Sequence, residues 1–183
     1  MKPLLLLFPF ALLFCILPAQ AGRADRDQPV HLEADRISVD EGGKKHLLEG
    51  NVLLQQGSLT IRTERLTVIQ DGEGFQKGIA VGGPGGLARF RQKRDVRDEW
   101  VEGEAERIEH DDREMKTQFF GAARLKSGQD EVRGQYIAYD GRSENYFVSG
   151  APVGQPGKAG RVRAVIQPKN REATAAAAEA AKR

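Results

Sequence analysis

Glu33-Ala34-Asp35-Arg36-Ile37-Ser38-Val39-Asp40, with the turn Glu41-Gly42-Gly43 after it and then Glu49-Gly50-Asn51-Val52-Leu53-Leu54-Gln55-Gln56-Gly57, is the stretch that decides the fold. It returns 71 residues later as Glu104-Ala105-Glu106-Arg107-Ile108, the turn Asp111-Asp112-Arg113, and Gly121-Ala122-Ala123-Arg124-Leu125-Lys126-Ser127-Gly128. Positions 33–68 and 104–139 share ten identities without a gap, where average composition gives roughly two. The chain is therefore built from repeated units. A shorter period of 29 residues lies inside the long one: Ile37-Ser38-Val39 returns as Leu66-Thr67-Val68, and Ile108-Glu109-His110 as Ile137-Ala138-Tyr139. Gly50, Gly78, Gly121 and Gly150 are each expected to open a strand-like segment. Four similar layers result, with an insert between the second and third.

From Val30 to Ile69 the apolar period is two, which predicts strands. Val30, Leu32 and Ala34 alternate, the phase then slips by one, and Ile37 and Val39 continue it. The same slip separates Ile61 and Thr63 from Leu66 and Val68, Ala105 from Ile108, and Val132 and Gly134 from Ile137 and Tyr139. One extra residue is what a bulge or corner supplies when a strand passes from one sheet to another. Each layer thus bends once. The predicted fold is all-β: two bent antiparallel sheets facing each other in an open, jellyroll-like trough, with Glu33, Asp35, Arg36, Glu64, Arg65, Glu106 and Arg107 outside. Gly and Asp clusters between the strand patterns supply the turns.

Outside the repeats, residues 1–21 carry Lys2, an apolar run from Leu4 to Leu17 and the small-x-small pattern Ala19-Gln20-Ala21, the pattern of a secretory signal peptide cut after Ala21. Residues 22–183 contain no cysteine, so the exported chain is expected to fold in an oxidising compartment without a disulfide. Removing the signal takes away one of the 28 Lys and Arg and none of the 26 Asp and Glu. That near-neutral balance argues against a general nucleic-acid binder. Residues 22–168 form the expected domain, with Arg161 to Ile166 as a last strand, and residues 169–183 an Ala-rich disordered tail.

The insert contains the loop Gly82-Gly83-Pro84-Gly85-Gly86 and the alternating strand Leu87 to Arg94. Its Arg89, Arg91, Lys93 and Arg94 have two readings, a phosphate-holding set or a solvated strand face. The glycine run lacks the Gly-Lys-Ser/Thr and following helix of a phosphate-binding loop. His31, His46 and His110 are scattered, with no His-Glu-x-x-His and no nucleophile elbow. The pairs Glu33/Asp35 and Glu104/Glu106 fall at alternating strand positions, as surface carboxylates do. No catalytic residue, metal site or cofactor is expected, and the chain is read as a non-enzyme. Stacked layers without caps leave an unpaired edge at each end, which favours head-to-tail strand addition. If the sheets splay, the inward residues line a groove suited to acyl chains.

Gln28-Pro29-Val30-His31-Leu32-Glu33-Ala34-Asp35, Glu49-Gly50-Asn51-Val52 with Gln56-Gly57-Ser58-Leu59, and Val101-Glu102-Gly103 before the second copy resemble the OstA-like domain of the periplasmic lipopolysaccharide-transport proteins, over about residues 28 to 150. The resemblance implies an open β-jellyroll in the periplasm whose subunits stack end to end. It also implies a carrier of lipopolysaccharide, with the acyl chains of lipid A inside. The implied partners are a second copy head to tail, an inner-membrane-anchored jellyroll (LptC-like) and an outer-membrane translocon jellyroll (LptD-like). It places lumen positions at Val30, Phe90, Ile108 and His110, where relatives carry an aromatic in place of His110. Alternation adds Leu32, Ile37, Val39, Val52, Leu54, Leu66, Val68, Ile137 and Tyr139. Two other readings remain: a membrane-anchored jellyroll component of the same pathway, and a structural β-repeat scaffold with a filled core and no ligand.

Overall fold

The computed structural model describes residue 25 and residues 27–72, 74–84, 86–94, 99–154 and 160–167. The expected signal segment (1–21) and Ala-rich tail (169–183) lie outside the described residues. Twelve strands follow in order: β1 Val30–Glu33, β2 Arg36–Asp40, β3 Lys45–Gln56, β4 Leu59–Asp71, β5 Gly74–Val81, β6 Ala88–Lys93, β7 Trp100–Ala105, β8 Arg107–Asp111, β9 Lys116–Ser127, β10 Asp130–Asp140, β11 Asn145–Ser149 and β12 Arg163–Val165. All their pairings are antiparallel. Among the described residues no helix is long and apolar enough to cross a membrane.

β3, β4, β9 and β10 are long, and each runs through both sheets. The first sheet has the order β1, end of β3, start of β4, β6, β7, end of β9, start of β10, β12. The second runs β2, start of β3, end of β4, β5, β8, start of β9, end of β10, β11. This is the expected pair of bent antiparallel sheets, with one addition. In the middle of the stack β4, β5, β8, β9, β7 and β6 close into a hydrogen-bonded ring. Alternation within single strands cannot reveal that closure, because it depends on which strand lies beside which.

The corners are made in two ways. β4 and β10 slip phase by one residue, and the β9–β10 register shifts between Gly134 and Tyr136. β3 and β9 keep their phase and turn through two consecutive left-handed residues, Gly50 and Asn51 (φ 76° and 49°) and, 71 positions on, Gly121 and Ala122 (φ 73° and 46°). Glycine takes the first position because a Cβ at Gly50 would strike the Asp35 carboxylate and one at Gly121 the Glu106 carboxylate. A seam of backbone bonds closes this side: Asp35 N–H to Gly50 O (2.9 Å), Gly82 N–H to Glu106 O (2.9 Å) and Glu106 N–H to Gly121 O (3.0 Å). Of the four glycines expected to open strands, Gly50 and Gly121 lie at the corners inside β3 and β9, Gly150 follows the end of β11, and Gly78 does not open a strand either. It sits inside β5, in the row between Val68 and His110, where a Cβ would be in ordinary contact with Phe75 and Leu66.

The opposite side of the molecule is made of turns. Asp40, Asp111 and Asp140 each accept a backbone N–H three residues on, from Gly43, Glu114 and Ser143 (2.9, 2.9 and 3.0 Å). Each turn then ends on a left-handed residue, Lys44, Met115 or Glu144. The repeat is thus a repeat of Asp-initiated turns, for which a short acceptor side chain is the physical requirement.

Candidate functional site

The space between the sheets is lined by complete rows of inward side chains. On the second sheet one row runs Ile37, Leu48, Leu66, Ala80, Ile108, Phe119, Ile137, Val148. The row beside it runs Val39, His46, Val68, Gly78, His110, Thr117, Tyr139, Tyr146. On the first sheet Leu32, Leu54, Ile61, Phe90, Gly103, Leu125, Val132 and Ala164 form the facing row. These rows and their margins, with Val30 on β1 and Val52 beside the β3 corner, contain all thirteen residues that the sequence points to. They come together on one continuous interior.

That interior is filled in its middle and, among the described residues, uncapped at its ends. Leu48, Leu54, Ile61, Leu66, Val68, Ile108, Phe119 and Ile137 have no exposed surface, as close packing of two apolar faces requires. The sheets interlock: Phe90 of the first sheet lies 5.8 Å edge-on from Phe119 of the second and 5.7 Å from His110. Gly103 leaves the space that Phe119 occupies, since a Cβ there would overlap the Phe119 ring. Toward the ends the same rows emerge, with Ile37 46%, Val39 51% and Tyr146 42% exposed. Among the described residues β1 and β2 pair only with β3, and β11 and β12 only with β10, so each end of the described body carries strands with one unpaired edge.

His110 is a buried ionisable group in the middle of this lining, in the row it shares with His46 and Thr117. It is 3% exposed, stacked 6.1 Å from Phe75, and its Nδ1 shares a hydrogen bond with Thr117 Oγ1 at 2.9 Å. Burial pushes its pKa down to about 4, because an imidazolium among aromatic rings loses its hydration. The ring is neutral at pH 7. Among the described residues no group of three or more His, Cys, Asp or Glu could hold a metal ion.

Of the basic strand, Arg89 and Arg91 face outward, and Arg91 pairs with Glu102 (3.3 Å) and lies 4.0 Å over the Trp100 ring. Arg94 departs from the solvated-face reading. It continues the inward phase of Ala88 and Phe90 and is nearly enclosed. Charge type grouped it with its neighbours; counting phase from Phe90 separates it. Elsewhere the outer faces carry ordinary ion pairs. The Arg124 and Arg133 guanidiniums hold the Glu131 carboxyl down at about 2, and Glu109 joins Lys77 (3.0 Å) and Arg107 (3.2 Å). Exposed pairs of this kind contribute little to stability.

Residues 31–145 match the family model described as "LptA/(LptD N-terminal domain) LPS transport protein". The lipopolysaccharide export system protein LptA of Escherichia coli (strain K12) is 32% identical over 129 residues, 70% of this chain and 69% of that protein. LptA of Haemophilus influenzae is 24% identical over 145 residues, covering 79% and 84%. The crystal structure of LptH, the LptA-homologous periplasmic component of the lipopolysaccharide transport device of Pseudomonas aeruginosa, superposes with a TM-score of 0.70 at 23% identity over 79% of this chain and 99% of that one. It shares the fold. With the family model spanning most of the two-sheet body and a relative above 30% identity, this chain belongs to the LptA/LptD N-terminal-domain family of LPS transport proteins.

Proposed function

We propose that this chain is a periplasmic carrier of lipopolysaccharide that holds the acyl chains between its two sheets and passes them along end-to-end stacks of itself. The observation that carries the reading is the pair of inward rows on the second sheet, one wholly apolar and one mixed, that cross all eight strand positions and surface at both ends. An acyl chain needs a long apolar surface and no catalytic group. An unpaired strand at each end can add a strand of the next copy, which aligns the rows of successive subunits. The terminal partners would be jellyrolls of the same kind, one anchored in the inner membrane (LptC-like) and one on the outer-membrane translocon (LptD-like). Its likeness to a lipopolysaccharide export system protein and to a periplasmic component of a lipopolysaccharide transport device supports this reading.

Ile37 and Val39 test it, because they are exposed and can change without opening a cavity. Ile37→Glu or Val39→Glu is expected to shift the melting temperature by no more than about 2 °C, as for other surface changes. The same variants are expected to lose the concentration-dependent ladder of oligomers and lipid transfer from one copy to another, measured by light scattering and by exchange of labelled lipopolysaccharide. Undiminished stacking and transfer in both variants would sink the end-to-end reading.

A further inference from the structure

The corner side of the molecule is sewn shut by the backbone bonds between Asp35 and Gly50, Gly82 and Glu106, and Glu106 and Gly121. The turn side is different: there the two sheets end separately, and a side-chain tie spans them. Arg94 follows β6 in the first sheet. Its Nη1 donates to Ser127 Oγ at 3.0 Å and to Glu99 Oε2 at 3.3 Å, both on that sheet's rim. Its Nη2 donates to Glu144 Oε2, in the last turn of the second sheet. The Arg94 and Glu144 side chains are 11% and 14% exposed. Arg94 Nε is buried and has no hydrogen-bond partner.

We infer that Arg94 is a phosphate-binding residue at this lateral mouth, occupied by the Glu144 carboxylate in the unloaded protein and handed to a phosphate of the carried glycolipid when the sheets part. The inference rests on the carrier reading above. Acyl chains between the sheets leave a bulky phosphorylated sugar outside, and the seam side is crossed by backbone hydrogen bonds that the turn side lacks among the described residues. A guanidinium accepts a carboxylate or a phosphate through the same planar fork, so Glu144 stands in for the ligand's oxyanion. It fills that fork only by half, because Nη2 is engaged and Nε is not. A phosphate, with three acceptor oxygens, can take both donors. Pulling the pair apart takes away Arg94's most buried carboxylate and leaves it only the more exposed Glu99, so the mouth opens most readily for a ligand that brings its own anion. Glu144 then swings into water with its turn. The pair is thus a selectivity element for phosphorylated lipids, and its two residues come from the rims of different sheets.

The test is equilibrium binding of bisphosphorylated lipid A and of the same lipid with its phosphates removed, to the full exported chain and to its variants. The wild type is expected to bind the phosphorylated form about tenfold more tightly, the ratio one replaced charge-assisted contact supplies. Arg94→Gln binds both forms equally, and Arg94→Lys recovers part of the preference. Glu144→Gln, which removes the carboxylate held by Arg94 Nη2, strengthens binding of the phosphorylated lipid several-fold and leaves the other unchanged. Inorganic phosphate alone does not raise the wild-type melting temperature, because acyl chains must first part the sheets. A folded Arg94→Gln that keeps the tenfold preference overturns the inference. So does a phosphate-induced rise in melting temperature that Arg94→Gln abolishes, which would assign the site to free phosphate. A wild type that binds neither lipid overturns instead the carrier reading beneath it.

Discussion

Phe90→Ala is expected to lower the unfolding free energy by about 3–5 kcal/mol, the range for truncating a buried aromatic, and the melting temperature by about 10 °C. Phe90 is 2% exposed, and both of its ring partners, Phe119 and His110, lie on the other sheet. The truncation therefore removes the contact that holds the sheets against each other. Of its two cross-strand neighbours, Ile61 and Gly103, Gly103 has no side chain to move into the gap. Phe90→Leu keeps most of the volume and should cost less than about 1.5 kcal/mol. Arg89→Ala, one residue away on the outer face, should stay within about 0.5 kcal/mol. Urea unfolding of the three variants checks the ordering. A Phe90→Ala cost below about 1 kcal/mol would mean that the sheets are not locked through this ring.

The second large effect is an acid instability centred on His110. In the folded chain this imidazole titrates at about 4, against an ordinary value of 6.5 in the unfolded chain. Between those two values the unfolded state binds a proton that the folded state refuses, so stability falls as pH drops through that window. It is level above about 6.5 and takes no further loss from this group below about 4. At 1.36 kcal/mol per unit of pKa difference the total is about 3 kcal/mol. His110→Phe is expected to remove most of this slope while holding or raising stability at pH 7, since the ring already lies between Phe75 and Phe90. Unfolding free energies at pH 7, 6, 5 and 4.5 for both proteins measure it. The same slope in both would place the acid sensitivity elsewhere.

Much of the body was legible in the sequence because a half-buried sheet imposes a period of two on each strand, and because the 71-residue repeat fixes the order of layers. The slips at Ile61 to Leu66 and Val132 to Ile137 mark true corners. The β3 and β9 corners were harder to see. Their second left-handed residues, Asn51 and Ala122, are not the glycines that announce such a conformation, and a paired left-handed turn leaves the phase unchanged. Non-local fits were out of reach altogether. That Gly103 makes room for Phe119, that Phe90 meets His110 across the interior, and that Arg94 meets Glu144 fifty residues away all depend on how the two sheets face each other. Single-strand periodicity carries no such information.

The central claim is that acyl chains travel between the sheets, among residues that pack against one another when no lipid is present. A photo-crosslinking residue placed at Phe90, at Ile108 and at Ile137 in cells, beside outward controls at Arg89 and Gln118, tests it most directly. Lipopolysaccharide adducts are expected at the three inward positions and at neither of the two outward ones. Adducts only at the outward positions, or none at any inward position in chains that remain folded and exported, would contradict it.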